Sequence, residues 1–226
     1  MASKARSTQR REDSLSRDRI VEASIELLDA GGEDGLTFRA LSERLATGPG
    51  AIYNHIADKG ALLTAACDAL VVRTLDASEA GSTPRATLRG LALALFDALD
   101  EHPWMGSALA QAAGQSPSVR VLERIGQAIQ ALGVPRKVQW AAASALLHYV
   151  IGVGSQNAVQ SQFARSRGLD RDRFLGNLST QWAQFDAREY PFVRGMASQL
   201  AAHDDRADYL AGVDLILEGL GPGQKG

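Results

Sequence analysis

The chain has 226 residues, and its 24 Lys and Arg nearly balance its 26 Asp and Glu, which gives a formal net charge of −2. Apolar residues make up 45% and charged residues 22%, the balance of a globular protein with one large or two small domains. The near-neutral charge argues against a protein that coats nucleic acid along its whole surface. The single cysteine, Cys67, excludes a disulfide scaffold and is expected to be buried rather than to act as a redox sensor.

No segment of the sequence is suited to cross a membrane. The most apolar stretch, 140–153, falls short of the roughly 18 residues that a spanning helix needs, and Ser144, His148 and Gly152 interrupt it. The N-terminus lacks the apolar core of a secretory signal. We therefore expect a cytoplasmic protein that makes no membrane contact.

Residues 1–15 are polar, which predicts a flexible arm because such a segment buries too little surface to offset its ordering entropy. From the N-terminus to Arg19 there are six basic residues against three acidic ones. Two interpretations fit this composition: a solubilising tail, or an arm that touches DNA.

The apolar residues then recur with helical spacing. Ser16 is a suitable N-cap for a first helix, which the pair Gly31-Gly32 should end. Thr37 would cap a short second helix, and Pro49 suits the first position of a third. Asp58 would cap a longer fourth helix.

The segment 77–84 contains Gly, Ser and Pro and interrupts this pattern, which predicts a connection between two helical units. Later helices are expected at 84–101, 104–113, 117–132, 135–163, 171–187, 191–203 and 205–220. No strand pattern is present. The predicted fold class is therefore all-α, with a small N-terminal unit at 16–60 and a larger C-terminal helical bundle at 61–222.

A second and third helix joined by a short turn make a helix-turn-helix unit. Ile52 and Ile56 would face the core of this unit. The outer face and leading end of the third helix are then small or polar: Pro49, Gly50, Ala51, Tyr53 and Asn54. Small residues there let a helix N-terminus approach base edges and phosphates closely.

The string from Leu36 to Leu63 is more specific than a helix-turn-helix alone. It contains the Thr37 cap, the stretches ALSERL and PGAIYNHI, and DK followed by ALL. On these motifs the sequence resembles the TetR family of bacterial transcriptional repressors over residues 17–66. The resemblance implies an all-helical dimer with a DNA-binding head and a ligand-sensing, dimerising body, and the segment 209–220 looks like the last dimerisation helix of some members.

The resemblance also implies a set of DNA-binding residues. Thr37, Tyr53 and Lys59 would bind phosphates, and the surface facing the groove would consist of Thr47, Gly48, Pro49, Gly50, Ala51, Asn54 and His55. Alternatives stay open for some of them: Thr37 as a helix cap only, His55 packed beside Lys59, and Arg39 either on a base or phosphate or on a merely solvated face. Arg44 is expected to form a surface ion pair.

The sequence departs from the family pattern at three positions. Ala46 stands where members usually have Gly, and a positive φ there would cost about 1 kcal/mol. Gly48 replaces the usual Ser or Thr cap of the recognition helix, and Ile56 replaces the more usual Phe. Residues 1–66 carry nine basic and ten acidic groups, so we expect modest nonspecific DNA affinity and a dependence on shape and base contacts.

The body carries no signature of an enzyme. Its histidines lack metal-ligand spacing, no Gly-rich phosphate loop follows a strand, and no serine elbow or carboxylate pair is present. We therefore expect no catalytic residue, no metal and no cofactor.

An effector pocket between helices needs mostly apolar walls with a few polar anchors. The candidates are polar or aromatic groups within apolar helices: Phe96, Trp104, Met105, Trp140, His148, Gln156, Asn157, Trp182 and Phe185. Each could instead be a core residue. Together they favour a small, partly apolar or aromatic effector.

The Ala/Gly-rich helix 135–163 and the terminal helix 205–220 are suited to a shared four-helix interface. The leading hypothesis is a homodimeric, ligand-responsive repressor that binds double-stranded DNA at a palindromic operator and is released by an unknown small-molecule effector. The alternatives are a helical interaction protein whose helix-turn-helix only packs, an effector-blind architectural DNA binder, or an activator.

Overall fold

The computed structural model describes residues 15–78, 80–112, 114–168 and 170–220. Within these ranges the regular secondary structure is helical throughout, which confirms the all-α prediction. The predicted arm lies outside the described residues except for Leu15. None of the described helices is long and apolar enough to cross a membrane.

Eleven α-helices and one 3₁₀ helix follow one another along the described chain. They are α1 Arg17–Gly35, α2 Phe38–Arg44, α3 Pro49–Tyr53, α4 Lys59–Ala77, α5 Pro84–Glu101, α6 Trp104–Gln111, α7 Ser116–Ala131, α8 Arg136–Ser166, α9 Arg171–Ala183, α10 Pro191–Met196, the 3₁₀ helix Ala197–Ala202, and α11 Asp205–Gly219.

Side-chain caps start three of the four N-terminal helices, α1, α2 and α4, at the predicted residues. Ser16 Oγ accepts a hydrogen bond from the Arg19 amide at 3.2 Å, and Thr37 Oγ1 accepts one from the Ala40 amide at 3.1 Å. Asp58 Oδ1 accepts one from the Ala61 amide at 2.8 Å. Each cap satisfies an amide that has no partner within its own helix, which fixes where the helix begins.

The first helix does not end at the glycine pair. Gly32 has φ 61° and ψ −162°, which is not helical, yet helical structure resumes and continues to Gly35. The predicted end is therefore a kink, because glycine adopts this backbone conformation without a steric cost.

The described chain forms two compact units: residues up to 77 together with 102–123, and 78–101 together with 124 onward. In the first unit, α1 packs against α2, α4 and α6, and α2 packs against α3. Its core contains Ile20, Leu41, Ile52 and Leu62, all with 0% exposure. The first unit thus includes all of α4 and α6. The boundary predicted from the sequence, between a DNA-binding unit at 16–60 and a larger bundle at 61–222, is a functional division and stays a prediction.

The second unit is built on α5, α8 and α11, which pack on one another, whereas α9, α10 and the 3₁₀ helix pack mainly among themselves. Hydrogen bonds from two tyrosines join the helices of this unit. The Tyr209 hydroxyl donates to the Ala92 carbonyl at 2.8 Å, and the Tyr149 hydroxyl donates to the Tyr209 carbonyl at 3.0 Å. The first bond satisfies the hydroxyl of Tyr209, which is buried, and the second satisfies that of Tyr149, which is half-buried.

Candidate nucleic-acid interface

A tight turn joins α2 to α3 through a residue in the left-handed region. Ala46 has φ 50°, the conformation for which glycine is the usual choice. The Ala46 amide donates to the Glu43 carbonyl at 3.3 Å, and the Thr47 amide donates to the Ser42 carbonyl at 3.0 Å. Gly48 then precedes α3 in an extended conformation without a side-chain cap.

The inner face of this unit is apolar, as the sequence predicted. Ile52 has 0% exposure, Ile56 has 5%, and Leu41 on α2 has 0%. Ile56 lies beyond the end of α3 but still packs inward. Burial of these side chains fixes which face of α3 looks outward.

The predicted DNA-binding residues lie on the surface of the first unit. Thr47 and Ala51 are half-buried, and the others are exposed: Thr37, Arg39, Gly48, Pro49, Gly50, Tyr53, Asn54, His55 and Lys59. His55 is therefore not the half-buried side chain of the alternative interpretation. Thr37 does cap its helix, which is compatible with a phosphate contact.

Tyr53 stacks on Phe38. Their ring centroids lie 4.2 Å apart with an interplanar angle of 9°, and Tyr53 keeps 53% of its surface exposed. Phe38 was not among the predicted site residues. The only signal in the sequence was an aromatic side chain directly after the Thr37 cap, which by itself does not indicate a partner fifteen positions away.

Two arginines of α2 form ion pairs. Arg39 Nε lies 3.0 Å from Glu43 Oε1 on an exposed face of the same helix. Arg44 pairs with Glu26 of α1, the surface ion pair that the sequence predicted. A cavity of about 520 Å³ next to the turn is lined by Arg39, Ser42, Glu43, Ala46, Thr47 and Pro49.

The structure does not bring the nine effector candidates into one cavity. Phe96 and Asn157 line the same cavity of about 600 Å³ in the second unit. Trp104 and Met105 are buried in the first unit, where the Trp104 indole donates to Asp29 Oδ1 at 2.7 Å. The remaining candidates are exposed or, for Trp182, half-buried: Trp140, His148, Gln156, Trp182 and Phe185. Whether any of the nine contacts an effector stays a prediction.

The cavity of the second unit is more polar than the pocket expected from the sequence. Arg206 Nη1 lies 2.9 Å from Asp97 Oδ1, and Arg171 Nη2 lies 2.8 Å from Asp205 Oδ2. Asp204 also lines it and caps α11. Hydrogen bonds from the backbone amides of Ala207 and Arg206 lower the pKa of the Asp204 carboxyl.

Across the described ranges, no three His, Cys, Asp or Glu side chains are grouped so as to hold a metal ion. Cys67 is buried as predicted, and burial together with the nearby Asp68 raises the pKa of its thiol to about 12. The thiol therefore stays protonated and poorly nucleophilic at neutral pH.

Both the sequence and the fold of this chain match those of known proteins. The family model described as bacterial regulatory proteins, tetR family, matches residues 20–66. A helix-turn-helix transcriptional regulator of Saccharopolyspora erythraea is 31% identical over 204 residues, which is 81% of this chain and 85% of that protein.

Solved structures agree with these matches. A TetR transcriptional regulator of Streptomyces coelicolor is 48% identical, has a TM-score of 0.82, and is matched over 92% of this chain and 98% of its own. ActR of the same organism, solved in complex with actinorhodin, is 20% identical with a TM-score of 0.75 over 91% of this chain and 95% of its own, which shows a shared fold.

These relatives define a class: DNA-binding regulators of transcription with an N-terminal helix-turn-helix. The chain belongs to the TetR family of bacterial regulatory proteins.

Proposed function

We propose that this protein is a cytoplasmic repressor that binds a palindromic operator as a homodimer and is released by a small-molecule effector. One observation supports DNA binding most directly. The helices α2 and α3 bury an apolar face and expose a continuous set of small, polar and basic residues. Such a surface can lie close to the edges of bases in a major groove.

Phosphate contacts would set the position of the head on DNA. Thr37, Tyr53 and Lys59 are exposed and carry a hydroxyl, a phenol and an ammonium group, all of which can donate to phosphate oxygens. The groove would then be read by the residues from Thr47 to Ala51 together with Asn54 and His55. Arg39 adds a charged group beside the turn.

A helix-turn-helix that merely packs against a protein would present a different surface. Packing favours large apolar side chains at the contact, but the exposed residues of α3 and its flanks include Gly48, Pro49, Gly50 and Asn54. The larger exposed side chains there, Tyr53 and His55, both carry polar groups. This composition supports nucleic acid over protein as the partner.

Exposed apolar side chains on the second unit support a homodimer. Val159 and Phe163 on α8 are 59% and 49% exposed, and Leu215 on α11 is 70% exposed. Apolar side chains left bare on one chain gain stability when a second copy covers them. A two-fold dimer also explains why its operator should be palindromic.

The cavity lined by Phe96 and Asn157 is the candidate effector site, and its carboxylates and arginines favour an effector that makes polar contacts. The complex of ActR with actinorhodin supports a small molecule as the ligand of this fold. Binding would shift the population of head spacings through the helix that follows the head, α4, and so lower operator affinity.

Fluorescence anisotropy with tiled fragments of the DNA that flanks the gene tests the proposal. At two salt concentrations, we expect one fragment to bind far more tightly than the rest, with affinity falling as salt rises because phosphates are contacted. Equal, weak binding to every fragment, and to a random-sequence pool, would contradict it. Compounds can then be screened for release of the bound fragment.

A further inference from the structure

The ion pair between Arg39 and Glu43 is oriented unfavourably for stabilising α2. In helices an acidic residue four positions before a basic one is the better order, and here the order is reversed. Glu43 also lies in the last turn of a seven-residue helix, where a negative charge is disfavoured by the helix dipole. Both partners are largely exposed, so the pair contributes little to folding stability.

The geometry of the pair does define the orientation of the guanidinium group. Glu43 Oε1 accepts a hydrogen bond from Arg39 Nε at 3.0 Å. This bond uses Nε, the nitrogen next to the aliphatic part of the side chain, and leaves the terminal nitrogens Nη1 and Nη2 for another ligand. The backbone carbonyl of Glu43 accepts a hydrogen bond from the Ala46 amide at 3.3 Å. Glu43 is therefore the residue at which the turn begins, and its carboxylate lies beside that turn. The same two side chains line the cavity beside Thr47 and Pro49.

A guanidinium held through Nε presents two parallel N–H groups from Nη1 and Nη2. That fork matches O6 and N7 of guanine, the most common specific contact in the major groove. The same fork can bind a phosphate bidentately, but a phosphate contact carries no sequence information, so base selection distinguishes the two.

We propose that Glu43 is a positioning residue for base recognition: it holds the Arg39 guanidinium so that its terminal fork reads a guanine in each half of the operator. The inference rests on the proposed function, since it requires sequence-specific DNA binding. Glu43 itself need not touch DNA in this arrangement.

Selection from a randomised duplex library tests the inference with four proteins: the unmodified chain, Arg39→Ala, Glu43→Ala and Glu43→Gln. Base preference is read at every position of the selected site. We expect Arg39→Ala to abolish the preference for one guanine in each half-site. Glu43→Ala should weaken the preference at that same position by about fivefold, part of what a bidentate contact supplies, and leave other positions unchanged.

Glu43→Gln is the matched control, because it loses the same charge as Glu43→Ala but keeps an oxygen that can accept from Nε. It should retain most of the guanine preference, while both variants bind nonspecific DNA equally well. Glu26→Gln removes the other ion pair of α2, that of Arg44, and should leave the whole profile unchanged.

Three results would overturn the inference while leaving the proposed function in place: an unchanged profile for Glu43→Ala, an equal loss for Glu43→Gln, or a loss at a position other than that of Arg39→Ala. If the unmodified chain selects no sequence at all, the proposed function fails and the inference fails with it. Thermal unfolding of each variant shows that the head remains folded.

Discussion

Tyr53 packs against a neighbouring ring and is also expected to contact a DNA phosphate. Its ring stacks on Phe38 at 4.2 Å, which orients the phenol without burying it. The stack and the hydroxyl can be separated experimentally, because phenylalanine keeps the first and lacks the second. Lys59, exposed at the start of α4, offers a second phosphate contact of a different chemistry.

Tyr53→Phe and Lys59→Ala should each weaken DNA binding. For each variant the loss of affinity should be similar on every DNA sequence, because phosphate contacts carry no sequence information. For Lys59→Ala the slope of log affinity against log salt should fall by about 1. Anisotropy titrations on the operator and on a scrambled duplex measure both effects. A selective loss on the operator, or no loss in either variant, would show that these side chains do not contact phosphates.

Ala46→Gly should stabilise the head. A left-handed conformation costs a residue with a Cβ about 1–2 kcal/mol, and the greater freedom of glycine in the unfolded chain offsets part of that gain. We expect the free energy of unfolding to rise by about 0.5–1 kcal/mol in urea denaturation.

Ala40→Gly is the control for this change, because Ala40 lies inside α2 and glycine should there lower stability by about 1 kcal/mol. A loss of stability in Ala46→Gly as well would mean that the turn does not hold φ 50° in solution.

At the residue scale, the features that sequence predicts best are those made by neighbours in the chain. The caps by Ser16, Thr37 and Asp58 each join residues three positions apart, so a local pattern contains the whole interaction. The contact of Phe38 with Tyr53 was missed because it depends on how α2 and α3 come together.

At the scale of elements, close approach between α8 and α11 depends on Gly212. A Cβ at this position would lie 2.5 Å from Tyr149 Cζ and closer still to its hydroxyl oxygen. The same hydroxyl donates to the Tyr209 carbonyl, so it is not free to move away without losing that bond. Gly212 therefore allows the two helices to be joined through Tyr149.

Gly212→Ala should lower the free energy of unfolding by about 2 kcal/mol, the cost of overpacking a core contact, although alanine favours helices over glycine. In a Tyr149→Ala background the same change should be neutral or stabilising, because the clash is gone. Urea unfolding of the four proteins gives this double-mutant cycle. Equal effects in both backgrounds would contradict the contact.

Helix positions were predictable, but the grouping of side chains from different helices was not. Periodic apolar residues and breakers such as Pro84 and Pro191 placed the helices of the body within a few residues of their observed bounds, except that 191–203 divides into α10 and a 3₁₀ helix. The effector candidates were chosen as polar or aromatic residues within apolar helices, a criterion that cannot tell an outward face from an inner one. Trp140 is an example: it was chosen as a pocket candidate, but it lies on the outward face of α8 with 72% exposure.

At the scale of the whole molecule, the proposed dimer accounts for apolar side chains left bare on α8 and α11. Leu215→Glu should weaken the dimer by about 100-fold, because a buried unpaired carboxylate is costly, and it should lower operator affinity in parallel. Sedimentation velocity over a concentration series measures the first effect and anisotropy the second.

Phe192→Glu is the matched control. Phe192 is 75% exposed but lies on α10, outside the proposed interface, so its replacement should change neither dimerisation nor DNA binding. A dimer that survives Leu215→Glu but not Phe192→Glu would move the interface to the segment around α10.

The most direct test of the account is a hydroxyl-radical footprint of the protein on the fragment selected by anisotropy. Two copies of the α2–α3 surface should protect two symmetric patches on one face of the duplex, about one helical turn apart and centred on the half-sites of a palindrome. Both patches should weaken together in Arg39→Ala. A single unsymmetrical patch, or no protection at protein concentrations where the fragment is bound, would contradict operator recognition by a dimer.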